Sequence, residues 1–153
     1  MNDDWFDLLQ ALADAGARYL VVGAHAMAVH GVPRGTQDLD VWVEPSPGNA
    51  ERVWRALARF GAPLTSPGVT REDLDHPGQV LQVGVPPFRI DLLTSITGIP
   101  DFESAWSARA VHAVRGLPVP FLGRSTLVRN KRAGGRPKDL ADLDALGELP
   151  PLD

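Results

Sequence analysis

Cysteine is absent from the 153-residue sequence. That absence excludes disulfides, thiolate nucleophiles and cysteine-ligated zinc, and it fits a reducing cytoplasm, where the chain is expected to act. Long apolar runs are missing too. None approaches the ~18 residues that a membrane-spanning helix needs, so no membrane partner is expected. The opening MNDDWFDLLQ is acidic and has no basic stretch leading into an apolar one, which argues against a secretory signal. Excess positive charge is also lacking. Lys and Arg number 15 against 19 Asp and Glu, a net charge of −4, so no global field draws the chain onto nucleic acid, although a local basic patch is compatible with it. The four histidines form no set with His-Asp metal spacing, which argues against a metal-dependent phosphohydrolase. Repeats and low-complexity tails do not occur.

What is present is ordinary globular composition, with 44% hydrophobic and 22% charged residues, enough to build a core. The length suits one domain over 1–153, with 125–146 as a short C-terminal helical segment. Helical spacing of Trp5, Leu8, Leu9 and Leu12 predicts a helix over 3–15, started by Asn2 or Asp3 and stopped by Gly16. RYLVVG (18–23) reads as a buried strand and AHAMAVHG (24–31) as a short helix. QDLDVWVE (37–44) alternates as a strand does. PSPG breaks the chain, and NAERVWRALARFG (49–61) is amphipathic. After a loop over 62–78, with one helical turn at 70–75, come strands at 79–85 and 88–94 joined by a wide kink at Pro86-Pro87. A helix over 101–110, a hairpin over 110–122 turned at Gly116-Leu117, a helix over 125–135 capped by Ser125, and a last helix after Pro137 complete the chain. This order predicts an α/β (α+β) fold: a mixed sheet of about 4–6 strands flanked by helices.

Asp38 and Asp40 stand one position apart in the second strand. Residues i and i+2 of a strand share a face, so the two carboxylates sit together, ~6–7 Å apart at Cα, while Leu39, Val41 and Val43 enter the core. Close carboxylates repel and resist joint ionisation. A divalent cation removes that cost, and oxygen ligands are what Mg²⁺ takes, usually beside substrate phosphates. Asp91, among apolar neighbours on a later strand, would complete a three-carboxylate cluster if the strands adjoin. The alternative is that these aspartates cap turns or pair with Arg34 or Arg89. Upstream, VVGAHAMAVHG places Gly23 between strand and helix, an arrangement that aims backbone N–H groups at an anion.

Three blocks, GAHA (23–26), HGVPRGTQDLD (30–40) and RID (89–91), together resemble the nucleotidyltransferase superfamily of the DNA polymerase β type, most closely small bacterial members related to abortive-infection toxin nucleotidyltransferases. GVPPFRIDLLT and NKRAGGRPKDLADLDAL resemble its later blocks, so the likeness extends over 18–146. It implies the nucleotidyltransferase fold and transfer of a nucleoside monophosphate from a nucleoside triphosphate such as ATP to an acceptor hydroxyl, with release of pyrophosphate. In that mapping Asp38, Asp40 and Asp91 are the catalytic and metal residues and hold two Mg²⁺ ions. Gly23, Ala24 and His25 form the phosphate cradle. The family pattern there is Gly-Gly-Ser/Thr, so His25 replaces a small hydroxyl. Arg34, Thr36, Lys131 and Lys138 are further candidates for nucleotide contact, with Thr36 also placed to orient Asp38, Arg34 to pair with a metal carboxylate, and Asp139 to hold one of the cations. Trp42 shares the face of Asp38 and Asp40, as a wall of the site or as core. The acceptor, whether small molecule, RNA end or protein, is not legible, nor is toxin–antitoxin membership. An open pocket completed by a second subunit is one expectation. The rival function is a nucleotide-binding or partner-binding domain of the same fold without transfer activity.

Overall fold

The structure, a computed structural model, describes residues 1–61, 70–84 and 88–148. The expected Pro86-Pro87 kink and the 62–69 part of the expected loop lie outside these residues. The elements run α1 (Asp3–Asp14), β1 (Tyr19–Val22), α2 (Gly23–Val29), β2 (Asp38–Val43), α3 (Pro47–Phe60), a 3-10 turn (Arg71–Asp75), β3 (Val80–Val83), β4 (Arg89–Leu93), α4 (Phe102–Ser107), β5 (Ala110–Val114), β6 (Leu117–Phe121), α5 (Arg124–Gly134) and α6 (Pro137–Ala145). The order of helices and strands is the one read from the sequence. Among the described residues, no helix is long and apolar enough to cross a membrane.

Six strands form one mixed sheet in the order β3-β4-β2-β1-β6-β5. β2 pairs antiparallel with β1 and parallel with β4. Alternation sorts the side chains. Tyr19, Val21, Leu39, Val41, Val43, Ile90 and Leu92 face α1 and α3 and make one core layer. Leu20, Val22 and Trp42 point the other way, onto Met27 of α2, Phe102 of α4, Leu127 of α5 and Leu143 of α6. Burial of each such Leu or Val removes enough apolar surface to contribute ~1.5–3 kcal/mol, and that burial pins the register of β2.

Several boundaries differ from the sequence expectation, each for a local reason. PSPG opens a helix rather than breaking the chain: the Ser46 hydroxyl accepts from the Asn49 N–H at 3.3 Å, and Pro47 occupies the first turn, where a missing N–H costs nothing. α5 starts at Arg124, with Gly123 rather than Ser125 at the cap position and no side-chain cap bond. The hairpin turns at Arg115-Gly116, one residue earlier than expected, with φ of 49° and 83° there. α4 ends at Ser107, leaving Ala110 free to begin β5. Trp42 is core: it is 2% exposed and meets Phe102 edge-on with centroids 4.9 Å apart.

Candidate active site

The parallel β2–β4 register sets Asp40 opposite Asp91 and Asp38 opposite Arg89. Directly paired residues of adjoining strands point to one face, so all three aspartates emerge together, on the face that carries Trp42 and Leu93. Core packing of Leu39, Val41, Ile90 and Leu92 on the reverse face leaves them no other direction. Thr36 steadies the entry to β2, its hydroxyl accepting from the Asp38 N–H at 3.1 Å.

These carboxylates are poorly compensated. Burial, then the charges of Asp91 and Asp38, push the Asp40 carboxyl up to about 6, while Lys138 and Lys131 pull it back. Burial and Asp38 also raise the Asp91 pKa, against a Gln82 hydrogen bond and the Arg89 charge. One oxygen of Asp91, Oδ1, is buried with no hydrogen-bond partner among the described residues, a costly state for an acceptor. Among the described residues, no three histidine or acidic side chains converge as a ready-made metal ligand set. What the aspartates share is a face, a register and mutual repulsion. An all-oxygen donor set with an orphaned buried oxygen fits a hard cation such as Mg²⁺ in chemistry.

Gly23 takes φ +68° at the junction of β1 and α2, and a Cβ there would run into Asp40 Oδ2. Only glycine meets both conditions without strain. From this floor a cleft of about 420 Å³ opens, lined by Gly23, Asp40, Ser95, Asn130, Lys131, Arg136 and Lys138 among others. Acid on one wall and cations on the other suit a metal-bound polyphosphate. A larger hollow, about 550 Å³, lies on the opposite face of the sheet among Asp4, Asp7 and Asp14, away from the paired aspartates.

The structure therefore brings Gly23, Asp40, Lys131 and Lys138 into one cleft, with Asp38 and Asp91 beside Asp40 in the sheet. It sets other sequence candidates elsewhere. Ala24 is half-buried and outside the cleft lining. His25 packs edge-on against Trp5 with ring centroids 5.0 Å apart. Burial and the chain's N-terminal charge lower its pKa, and a hydrogen bond with the Asp38 backbone raises it. Arg34 reaches across to Asp142 of α6 rather than to the paired aspartates. Lys131 lines the cleft yet also binds Asp142 at 2.9 Å and Asp139 at 3.8 Å. Asp139 takes a second cation, Arg136, at 2.9 Å. Ser95, Thr97 and Asn130 were not singled out from sequence. Thr97 and Asn130 are joined by a 2.9 Å hydrogen bond from Asn130 Nδ2 to Thr97 O. Their one signal is position, just after β4 and just before Lys131.

The chain has the nucleotidyltransferase fold. It superposes on TM1012 from Thermotoga maritima, a proposed nucleotidyltransferase, with TM-score 0.59 at 12% identity, covering 96% of this chain and 92% of that one. It superposes equally on the lincosamide antibiotic adenylyltransferase LnuA in its lincomycin-bound structure, with TM-score 0.60 at 12% identity and 98% of both chains covered. Neither a protein-family profile nor a curated protein sequence matches the chain.

Proposed function

We propose that the chain is a metal-dependent nucleotidyltransferase that moves a nucleoside monophosphate from a nucleoside triphosphate to an acceptor hydroxyl. One observation carries this reading: Asp40 and Asp91 stand opposed in register beside Asp38, at a cleft whose far wall is Lys131, Arg136 and Lys138. Asp38, Asp40 and Asp91 would hold Mg²⁺, which when bound supplies charge neutralisation for the phosphates and for the oxygens that exchange at phosphorus.

The rest falls to the chain. Gly23 lets the phosphates approach the backbone beside Asp40. Lys138 and Arg136, both exposed, draw the triphosphate in and hold its charge. Asp91, opposite Asp40 in the β2–β4 register, accepts the proton of the attacking hydroxyl. The acceptor oxygen bonds to the α-phosphorus, the bridging bond to the β-phosphate breaks, and pyrophosphate leaves.

A second reading, the same fold binding nucleotide without transfer, draws on the commitment of Arg34 and Lys131 to Asp142 and on the placement of His25 against Trp5. Calorimetric titration with Mg²⁺ and each nucleoside triphosphate tests both. Metal-dependent binding that disappears in Asp38→Ala/Asp40→Ala supports the site, and unchanged binding removes it. Binding with no pyrophosphate release for any acceptor moves the assignment to the second reading.

A further inference from the structure

We propose that Asp142 is a positioning residue, a buried clamp that fixes the loop delivering the β2 aspartates against the helices delivering the cations. The nucleotide part of this inference rests on the function proposed above. Asp142 lies on α6 and is 1% exposed. One of its oxygens takes Arg34, which is 108 positions away in sequence, and the other takes Lys131 of α5. Arg34 stands in the segment that runs straight into Asp38. The next residues of that segment are tied forward as well: Thr36 to the Asp38 amide, and Gln37 O to the Arg89 N–H at 3.0 Å. Lys131 lines the same cleft as Asp40. A single carboxylate thus links the acidic wall of the cleft to its basic wall.

The energetics point the same way. Two charges taken out of water repay their desolvation poorly, so a buried ion pair is weak evidence of stability, and its best-attested use is to fix register. Here three cations, Arg34, Lys131 and Arg136, share Asp139 and Asp142, which leaves one positive charge in surplus within this cluster. Asp142 governs where that surplus sits. It draws the Lys131 ammonium back from Asp40, and it keeps Arg34 out of the cleft. In this account Arg34 acts on the nucleotide through Asp142 and not by touching it.

The test uses the full chain and three variants, Arg34→Gln, Arg34→Lys and Asp142→Asn, plus the double variant Arg34→Gln/Asp142→Asn. Calorimetry with Mg²⁺ and ATP reads affinity. Arg34→Gln and Asp142→Asn should each weaken binding about tenfold, the double variant no more than either single, and Arg34→Lys should restore near-parental affinity. Parental affinity in folded Arg34→Gln and Asp142→Asn, or losses that multiply in the double variant, would overturn the proposal. Amide exchange on the nucleotide-free protein supplies the second readout. In Asp142→Asn the amides of Asp38 and Arg89 should accelerate more than those of β6, which follow only the variant's loss of global stability. Uniform acceleration across the sheet would mean a stability role only and would sink the clamp. If Asp142→Asn fails to fold, Arg34→Gln against Arg34→Lys decides by the same two readouts, because Arg34 reaches the surface. Absence of Mg²⁺-dependent binding in the parent would remove the proposed function, and the exchange pattern would still decide the clamp.

Discussion

Two groups of aspartates in this molecule are treated in opposite ways. Asp139 and Asp142 are almost wholly buried, yet each has cations from its own chain, and Arg136 holds the Asp139 pKa below the ordinary value. Asp40 and Asp91 are less buried yet carry raised pKa values, first from desolvation and then from acidic neighbours, Asp91 and Asp38 acting on Asp40 and Asp38 acting on Asp91. Both groups press against a glycine: a Cβ at Gly134 would strike Asp139 as one at Gly23 would strike Asp40. Depth of burial and close packing therefore do not decide which carboxylates carry raised pKa values here. Provision of a counter-charge does. The first group has its counter-charges, although Asp142 Oδ2 meets Lys131 as an ion pair without a hydrogen bond among the described residues, and the second, on the function proposed above, would be compensated by a bound cation.

The largest way to break this contrast is to strip the compensated group of its acid. Asp142→Ala leaves Lys131 buried without its nearest partner and should cost ~3–5 kcal/mol in denaturant unfolding. Next comes Gly23→Ala, which combines a left-handed backbone with a collision at Asp40. A loss of ~1–3 kcal/mol is expected, together with weaker Mg²⁺-dependent nucleotide binding.

Asp40→Asn works in the opposite sense. The folded Asp40 pKa, about 6, lies above the ordinary 3.8. An unfolded chain therefore ionises this group first, so the parent loses stability as pH rises from about 4 to about 6 and does not regain it above. The variant should escape that loss and unfold ~1–2 kcal/mol later than the parent at pH 7, after allowance for solvent screening, while losing Mg²⁺-dependent binding. A parent whose melting temperature, followed across that window, shows no decline attributable to Asp40 would contradict the contrast. The smallest effect belongs to Lys138→Ala. Lys138 is exposed, so stability should move by less than ~0.5 kcal/mol. The Asp40 titration midpoint, read by NMR, should nevertheless move upward, since Lys138 lowers it.

The uncompensated group was legible in the sequence because its cause is local. A two-residue period puts Asp38 and Asp40 on one side, and Asp91 sits at the matching phase of its own strand, so only the strand order had to be supplied by the fold. The order of helices and strands was legible for the same reason. Boundaries slipped where a cap or turn depended on one hydroxyl or one backbone conformation, as at Ser46 and Arg115. The compensated group was only half legible. The proximity of Asp139 to the basic run suggested that it holds a cation, and it does. No periodicity announces that Arg34 will find Asp142 across 108 positions. His25 likewise read as part of the glycine turn, because what redirects it is Trp5 on a different helix.

The β2–β4 alignment also sets when the reactive corner can exist. Residues 40 and 91 meet only after the whole intervening crossover has closed, and closure of a long loop is entropically slow. A chain emerging from synthesis with only its first 90 residues holds Asp38 and Asp40 but lacks Asp91. The proposed chemistry would thereby be withheld until most of the sheet has formed, an interval between translation and competence written into the topology itself.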